Sequence, residues 1–165
     1  MGSDSPASDG PRIVPPDEGR EVTLMGARVR YLLPADGPAP GRFSVIEYTV
    51  PAFFAAPPAL HHHLEEDWAG VVLEGRVTFV FKTGPKVAET GALIWCPHGT
   101  PFAWRNDSDQ PARVLYIYAP GGFEEFFSEL ASSLAAAGAT TVTPTVAAEV
   151  IQPLWTKYGC AVSED

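Results

Sequence analysis

From Val22 to about Pro120 the chain is a succession of short β-rich runs cut apart by Gly, Pro, Asn and Asp. Runs of that length and punctuation pair into antiparallel sheets, so this region is restricted to a sandwich or a barrel, with no helix needed before residue 120. The strands predicted are Arg28 to Leu33, Arg42 to Val50, Leu60 to His63, Ala69 to Leu73, Arg76 to Lys82, Ala92 to Cys96, Phe102 to Arg105 and Ala112 to Ala119. Lys82-Thr83-Gly84-Pro85-Lys86 reads as a hairpin loop and Asn106-Asp107-Ser108-Asp109 as another. Beyond Gly121-Gly122 the period changes. Phe123, Phe126, Phe127, Leu130 and Leu134 fall on one helical stripe, which predicts a helix packed across the barrel and stopped by Gly138. A second, weaker helix is expected from about Thr145, with Val146, Val150, Ile151 and Leu154 on its apolar face and Pro153 kinking or dividing it.

The 165 residues suit one domain, because domains commonly hold roughly 100 to 200 residues. Residues 1–20, rich in Ser, Asp, Gly and Pro, read as a flexible leader without the basic-then-apolar order of a secretory signal. Residues 21–165 form the domain, including a C-terminal helical segment at about 121–165. A net charge of −9, with acids spread along the chain, offers no basic face for phosphates, so nucleic acid is not an expected partner. No apolar stretch approaches the length of a membrane span, and no membrane partner is expected. Cys96 and Cys160 cannot build a multi-bridge framework, which suits a reducing compartment and predicts a cytoplasmic location. Cys96, set in an apolar run, reads as a small buried hydrophobe.

Two motifs carry the chemistry. The first reads Pro57-Pro58-Ala59-Leu60-His61-His62-His63-Leu64-Glu65-Glu66-Asp67-Trp68 and ends Val72-Leu73-Glu74-Gly75; the second runs from Gly91 through Pro97-His98-Gly99-Thr100-Pro101-Phe102-Ala103-Trp104-Arg105-Asn106. In spacing they resemble the paired motifs of the cupin superfamily, particularly single-domain cupins similar to quercetin 2,3-dioxygenases and polyketide cyclases. The run from Pro111 to Phe123 and the closing Lys157-Tyr158-Gly159 look like the same group, so the resemblance covers most of the chain after residue 20. It implies an all-β fold, the double-stranded β-helix or jelly-roll barrel, with C-terminal helices packed against it and a pocket for a small organic molecule. It also implies a homodimer, the commonest closed assembly.

Side chains two apart on a strand share a face, so His61 and His63 project together into the barrel while His62 points away. The resemblance implies that a metal of the Fe, Mn, Ni, Cu or Zn type would be held by these two, the first motif's Glu and the second motif's His. Here the chain departs from the pattern. Counting back from Gly75 puts Trp68 at the carboxylate position, counting on from Gly99 puts Phe102 at the third imidazole position, and Ala55 replaces the first motif's opening Gly. Asp67 or Glu47 could complete a relocated divalent site with His61 and His63, but Asp67 is out of phase with Gly75 and needs a bulge to turn inward. Glu65 and Glu66 read as solvated loop acids, and His98 as a rim residue. The expectation is that no cofactor or metal is tightly bound.

By strand parity Trp68 and Gly70 share the histidine side, as do Phe102 and Trp104, while Tyr116 and Tyr118 share a face of the last barrel strand. These residues and Glu47 are the expected substrate contacts, an aromatic wall with an unfilled patch at Gly70, suited to a planar, mostly apolar ligand. The leading expectation is a metal-independent cyclase, isomerase or dehydratase of secondary metabolism acting on an aromatic or polyketide-like molecule. In it His61 or His63 moves a proton and Tyr116 or Tyr118 donates a hydrogen bond to a developing enolate. The alternatives are a metal-dependent dioxygenase of the quercetinase type and a binding protein without chemistry.

Overall fold

The computed structural model describes residues 11–37, 41–56 and 59–163. Its strands are β1 (Arg20–Leu24), β2 (Ala27–Leu33), β3 (Ser44–Val50), β4 (His61–His63), β5 (Asp67–Glu74), β6 (Arg76–Phe81), β7 (Gly84–Glu89), β8 (Leu93–Cys96), β9 (Phe102–Arg105), β10 (Ala112–Ala119) and β11 (Cys160–Val162). They form two antiparallel sheets, ordered β1-β2-β3-β10-β5-β8 and β11-β4-β9-β6-β7. The inner rows of the two sheets supply one core, with Ile46, Val72 and Val114 from the first and Val77, Phe79 and Phe102 from the second. No hydrogen-bonded ladder joins sheet to sheet among the described residues, so the expected all-β barrel is closed by packing. Each such side chain, fully buried, contributes about 1.5–3 kcal/mol.

The strands the punctuation predicted are present, and the structure adds three. In β7 the chain pairs Phe81 with Gly84 and Val80 with Pro85, so only Lys82 and Thr83 turn and Gly84-Pro85-Lys86 belong to the strand. Proline is tolerated there because β7 lies at the sheet edge. β1 begins at Arg20, and just before it the carbonyls of Pro15, Pro16 and Glu18 accept hydrogen bonds from Arg30 Nη1 at 3.2, 2.8 and 3.0 Å. Residues 1–10 of the expected leader, and Pro57 and Pro58 of the first motif, lie outside the described residues. β11 pairs with β4, matching Cys160 to His63 and Val162 to His61.

The apolar stripe after Gly122 forms helix α1 (Glu125–Ala136), which buries Phe126, Phe127, Leu130 and Leu134. It ends as predicted, with Gly138 at φ +63° and the Ala139 N–H donating to the Leu134 carbonyl at 2.9 Å. The second helical segment comprises α2 (Pro144–Val146), a π-turn over Ala147–Ile151 and α3 (Gln152–Lys157). Thr143 caps it by accepting from the Val146 N–H at 3.2 Å. Pro153 divides it, because a residue without an N–H cannot continue the ladder, and the Gln152 N–H before it reaches back to Ala147. No helix among the described residues is long and apolar enough to cross a membrane.

Candidate functional site

The two motifs meet at β4 and β9, where His61 stands directly opposite Phe102. Two hydrogen-bonding features of the motifs hold them there. The Gly99 N–H donates to the His63 carbonyl at 2.7 Å, tying the second motif's turn to the histidine strand. Asn106, 1% exposed, donates from Nδ2 to the Pro51 and Gln110 carbonyls and accepts at Oδ1 from the Ser108 N–H and hydroxyl, which fixes the loop after β9.

His61 and His63 point inward, with ring centroids 6.1 Å apart, while His62 points away with its Nδ1 2.9 Å from Ser163 Oγ. They form one wall of an interior cavity of ≈ 80 Å³. Trp68 on β5, Phe102 and Trp104 on β9, and Tyr116 and Tyr118 on β10 complete the aromatic lining expected from parity. The cover is supplied by Phe123 and α1, with Trp155 of α3 stacked 4.4 Å from the His61 ring at 14°. Buried Glu124 sets that cover in place: its carboxylate accepts the Gly122 and Ala35 N–H groups at 2.8 and 2.6 Å, and Phe123 beside it lies 4.3 Å from His63. A second, more open recess of ≈ 400 Å³ shares Met25, Phe54, Ala55, Ala56 and Val142 with the inner cavity.

Several expected contacts lie elsewhere. Glu47 faces the outer side of β3, where it accepts from Arg113 Nε at 3.0 Å and Arg30 Nη2 at 3.2 Å. Burial pushes its pKa up, but the two guanidinium groups outweigh it and hold the carboxyl below its ordinary range. Asp67 also points out, accepting from the His98 N–H at 2.9 Å with His98 Nδ1 at 2.8 Å. These two bonds lower its pKa. Gly70 leaves no open patch, since a Cβ there would meet Tyr116 Cε1 at 3.2 Å; the tyrosine ring opposite already fills the space.

Besides Trp155, Tyr48 and Glu66 join the site, and the sequence reading passed over them all. Tyr48 lines the cavity from β3, and its alternation with Ile46 and Val50 was a legible signal. Glu66, read as a solvated acid, instead folds inward: its Oε2 lies 3.5 Å from His63 Nδ1, and its side chain is 13% exposed. Neither atom has a hydrogen-bond partner among the described residues.

The electrostatics separate the lining groups. Burial, followed by repulsion from His63, pushes His61 down to about 3, so its ring is neutral at physiological pH. Burial raises Tyr48, Tyr116 and Tyr118, keeping three phenols protonated as hydrogen-bond donors. Among the described residues no lysine or arginine lines the cavity.

The metal that the resemblance to cupins implies does not fit this set of residues. Phe102 lies 4.5 Å from His61 and 5.9 Å from His63, and Trp68 lies 4.9 Å from Phe102, so apolar rings fill the space where the remaining ligands would converge. Among the described residues no group of three or more His, Cys, Asp or Glu side chains could hold a metal ion.

A family model described as cupin domain matches residues 51–118, the stretch holding both motifs and most of the cavity wall. The match covers less than half of the chain and shows a likeness to the cupin domain over that stretch. Among solved structures it is similar to the polyketide cyclase RemF from Streptomyces resistomycificus, at 21% identity and a TM-score of 0.56 over 67% of this chain and 80% of that one. It is also similar to KdgF from Halomonas sp., at 12% identity and a TM-score of 0.58 over 70% and 99% of the two chains. A sugar phosphate isomerase of the cupin superfamily from Silicibacter pomeroyi matches at 23% identity and a TM-score of 0.50, over 58% of this chain and 60% of that one. These likenesses show a common fold. No curated protein matches the chain.

Proposed function

We propose that the chain is a metal-independent enzyme that moves a proton on a neutral aromatic or polyketide-like ketone, in a cyclisation, isomerisation or dehydration. The observation that carries this reading is an imidazole, His63, on the wall of an aromatic cavity whose other polar groups are His61, phenols and indoles and whose lining, among the described residues, contains no lysine or arginine. A phosphate or carboxylate substituent would be buried there without a counter-charge, so an uncharged substrate with carbonyl oxygens suits the lining better. His63 is the base: it takes the proton from carbon next to a carbonyl, while Tyr116 or Tyr118 donates to the oxygen that becomes enolate. The proton held by His63 then goes to another carbon, to the alkoxide formed when the enolate attacks a second carbonyl, or to a β-hydroxyl that leaves as water. His61, neutral at physiological pH, orients the substrate by hydrogen bonding. A polycyclic substrate would extend past the shared wall into the outer recess, since sites for such ligands commonly span roughly 300–1,000 Å³.

The test uses α-tetralone in heavy water with a chelator present, following exchange of its α-protons by NMR. Native protein should accelerate exchange, and His63→Ala should lower the rate by about 10²–10⁴-fold. No acceleration by native protein, or acceleration that requires an added metal, would overturn the proposal.

A further inference from the structure

We infer that Glu66 is a positioning residue that fixes the tautomer of His63, holding the ring proton on Nδ1 and leaving the Nε2 lone pair free. Glu66 Oε2 and His63 Nδ1 are both buried, lie 3.5 Å apart and have no other partner among the described residues. A buried carboxylate oxygen accepts hydrogen bonds and a neutral imidazole carries one N–H, so the pair is satisfied only when that N–H sits on Nδ1. The observed separation is a few tenths of an ångström longer than a formed hydrogen bond. The surroundings keep the carboxylate in place. Gly159, at φ +72°, has its would-be Cβ 4.0 Å from Glu66 Oε2, and the Cys160 thiol on β11 lies close enough that the carboxylate adds to the rise in its pKa caused by burial. The Leu64 N–H donates to the Gly159 carbonyl at 2.8 Å, which pins the β4–β5 turn carrying Glu66.

The consequence for turnover rests on the proton-transfer reading above; the tautomer does not. With the proton on Nδ1, the nitrogen left to accept a proton is Nε2. Loss of the carboxylate lets the proton move to Nε2 and removes the base, as happens when the orienting acid of a hydrolase triad is replaced by its amide.

Long-range proton–nitrogen NMR of ring-¹⁵N-labelled protein, taken where the imidazoles are neutral, reads the tautomer directly, with His63→Ala and His98→Asn supplying assignments. His63 should carry its proton on Nδ1 in native protein and in Glu66→Asp, and on Nε2 in Glu66→Gln, whose amide can donate to Nδ1. In the α-tetralone assay Glu66→Gln should lose about 10²–10⁴-fold in kcat with KM unchanged, Glu66→Asp should recover part of it, and Glu66→Gln should add nothing in a His63→Ala background. A native His63 protonated on Nε2, or one unmoved by Glu66→Gln, overturns the inference. Should Glu66→Gln fail to fold, the native and Glu66→Asp spectra decide alone. A correct tautomer with no exchange activity would sink the functional proposal and leave this one standing.

Discussion

Replacing Trp68 with Glu and Phe102 with His puts back the two ligand types that the family pattern expects, on the scaffold that lacks them. Trp68 is 2% exposed and Phe102 5%, and their rings touch one another as well as Phe79, Tyr116 and both histidines. Truncating one such ring to alanine costs about 3–5 kcal/mol, and the contact between the two makes their losses less than additive. The incoming side chains refill part of the volume, but an unpaired glutamate among aromatic rings adds a desolvation cost. A net loss of roughly 3–5 kcal/mol for Trp68→Glu/Phe102→His leaves a folded but weakened domain, since domains carry about 5–15 kcal/mol. Metal binding to the native state alone returns about 2.7 kcal/mol at a hundredfold excess over Kd. For a chain of this size that corresponds to about 5–11 °C in Tm. Melting curves and calorimetric titrations with nickel or zinc, against a chelator baseline, should therefore show a gain for the double variant and little for native protein. Tight stoichiometric binding by native protein would refute the reasoning, and loss of that binding in Glu66→Gln, Asp67→Asn or Glu47→Gln would show which carboxylate had taken over. A folded double variant with no metal-dependent gain would refute the placement of Trp68 and Phe102 at the ligand positions.

His61 makes stability pH-dependent: its folded pKa of about 3 lies below the ordinary 6.5, so the unfolded chain binds the proton first and stability falls as pH drops through that window. Between pH 6.5 and 5 the loss should be about 1.6 kcal/mol, and denaturant melts of His61→Asn should lack that slope. Glu47→Gln should destabilise by roughly 1–3 kcal/mol by leaving Arg30 and Arg113 without their carboxylate. It should leave binding of a planar fluorescent phenol unchanged, because Glu47 faces away from the cavity; weakened binding would place it back in the site.

The part of the site governed by a strand's two-residue period was legible: the inward pair His61 and His63, the outward His62, and the row Trp68, Phe102, Trp104, Tyr116 and Tyr118. What the period cannot supply is the identity of the neighbour across the ladder. Glu47 looked like a pocket acid because its own strand is apolar, and only the register with β2 and β10 brings Arg30 and Arg113 beside it. Gly70 looked like open space because Tyr116 stands opposite it through pairing alone. Glu66 sits in a turn, where side-chain direction follows no period, and the residues that enclose it, Gly159 and Cys160, lie far along the chain. β7 was hidden by Pro85, which reads as a break unless the strand is known to be an edge.

The histidine strand is short, and its longest pairing is to β11, while Trp155 covers the ring of His61. Of all the residues that build the site, these are the last to be synthesised. A nascent chain that has already paired β10 between β3 and β5 has most of the barrel but an uncovered His61 and a β4 with one partner missing. The stacking on the His61 ring, the second partner of β4 and the enclosure of Glu66 therefore all wait on the stretch from Trp155 to Val162, which follows the rest of the cavity wall in the chain.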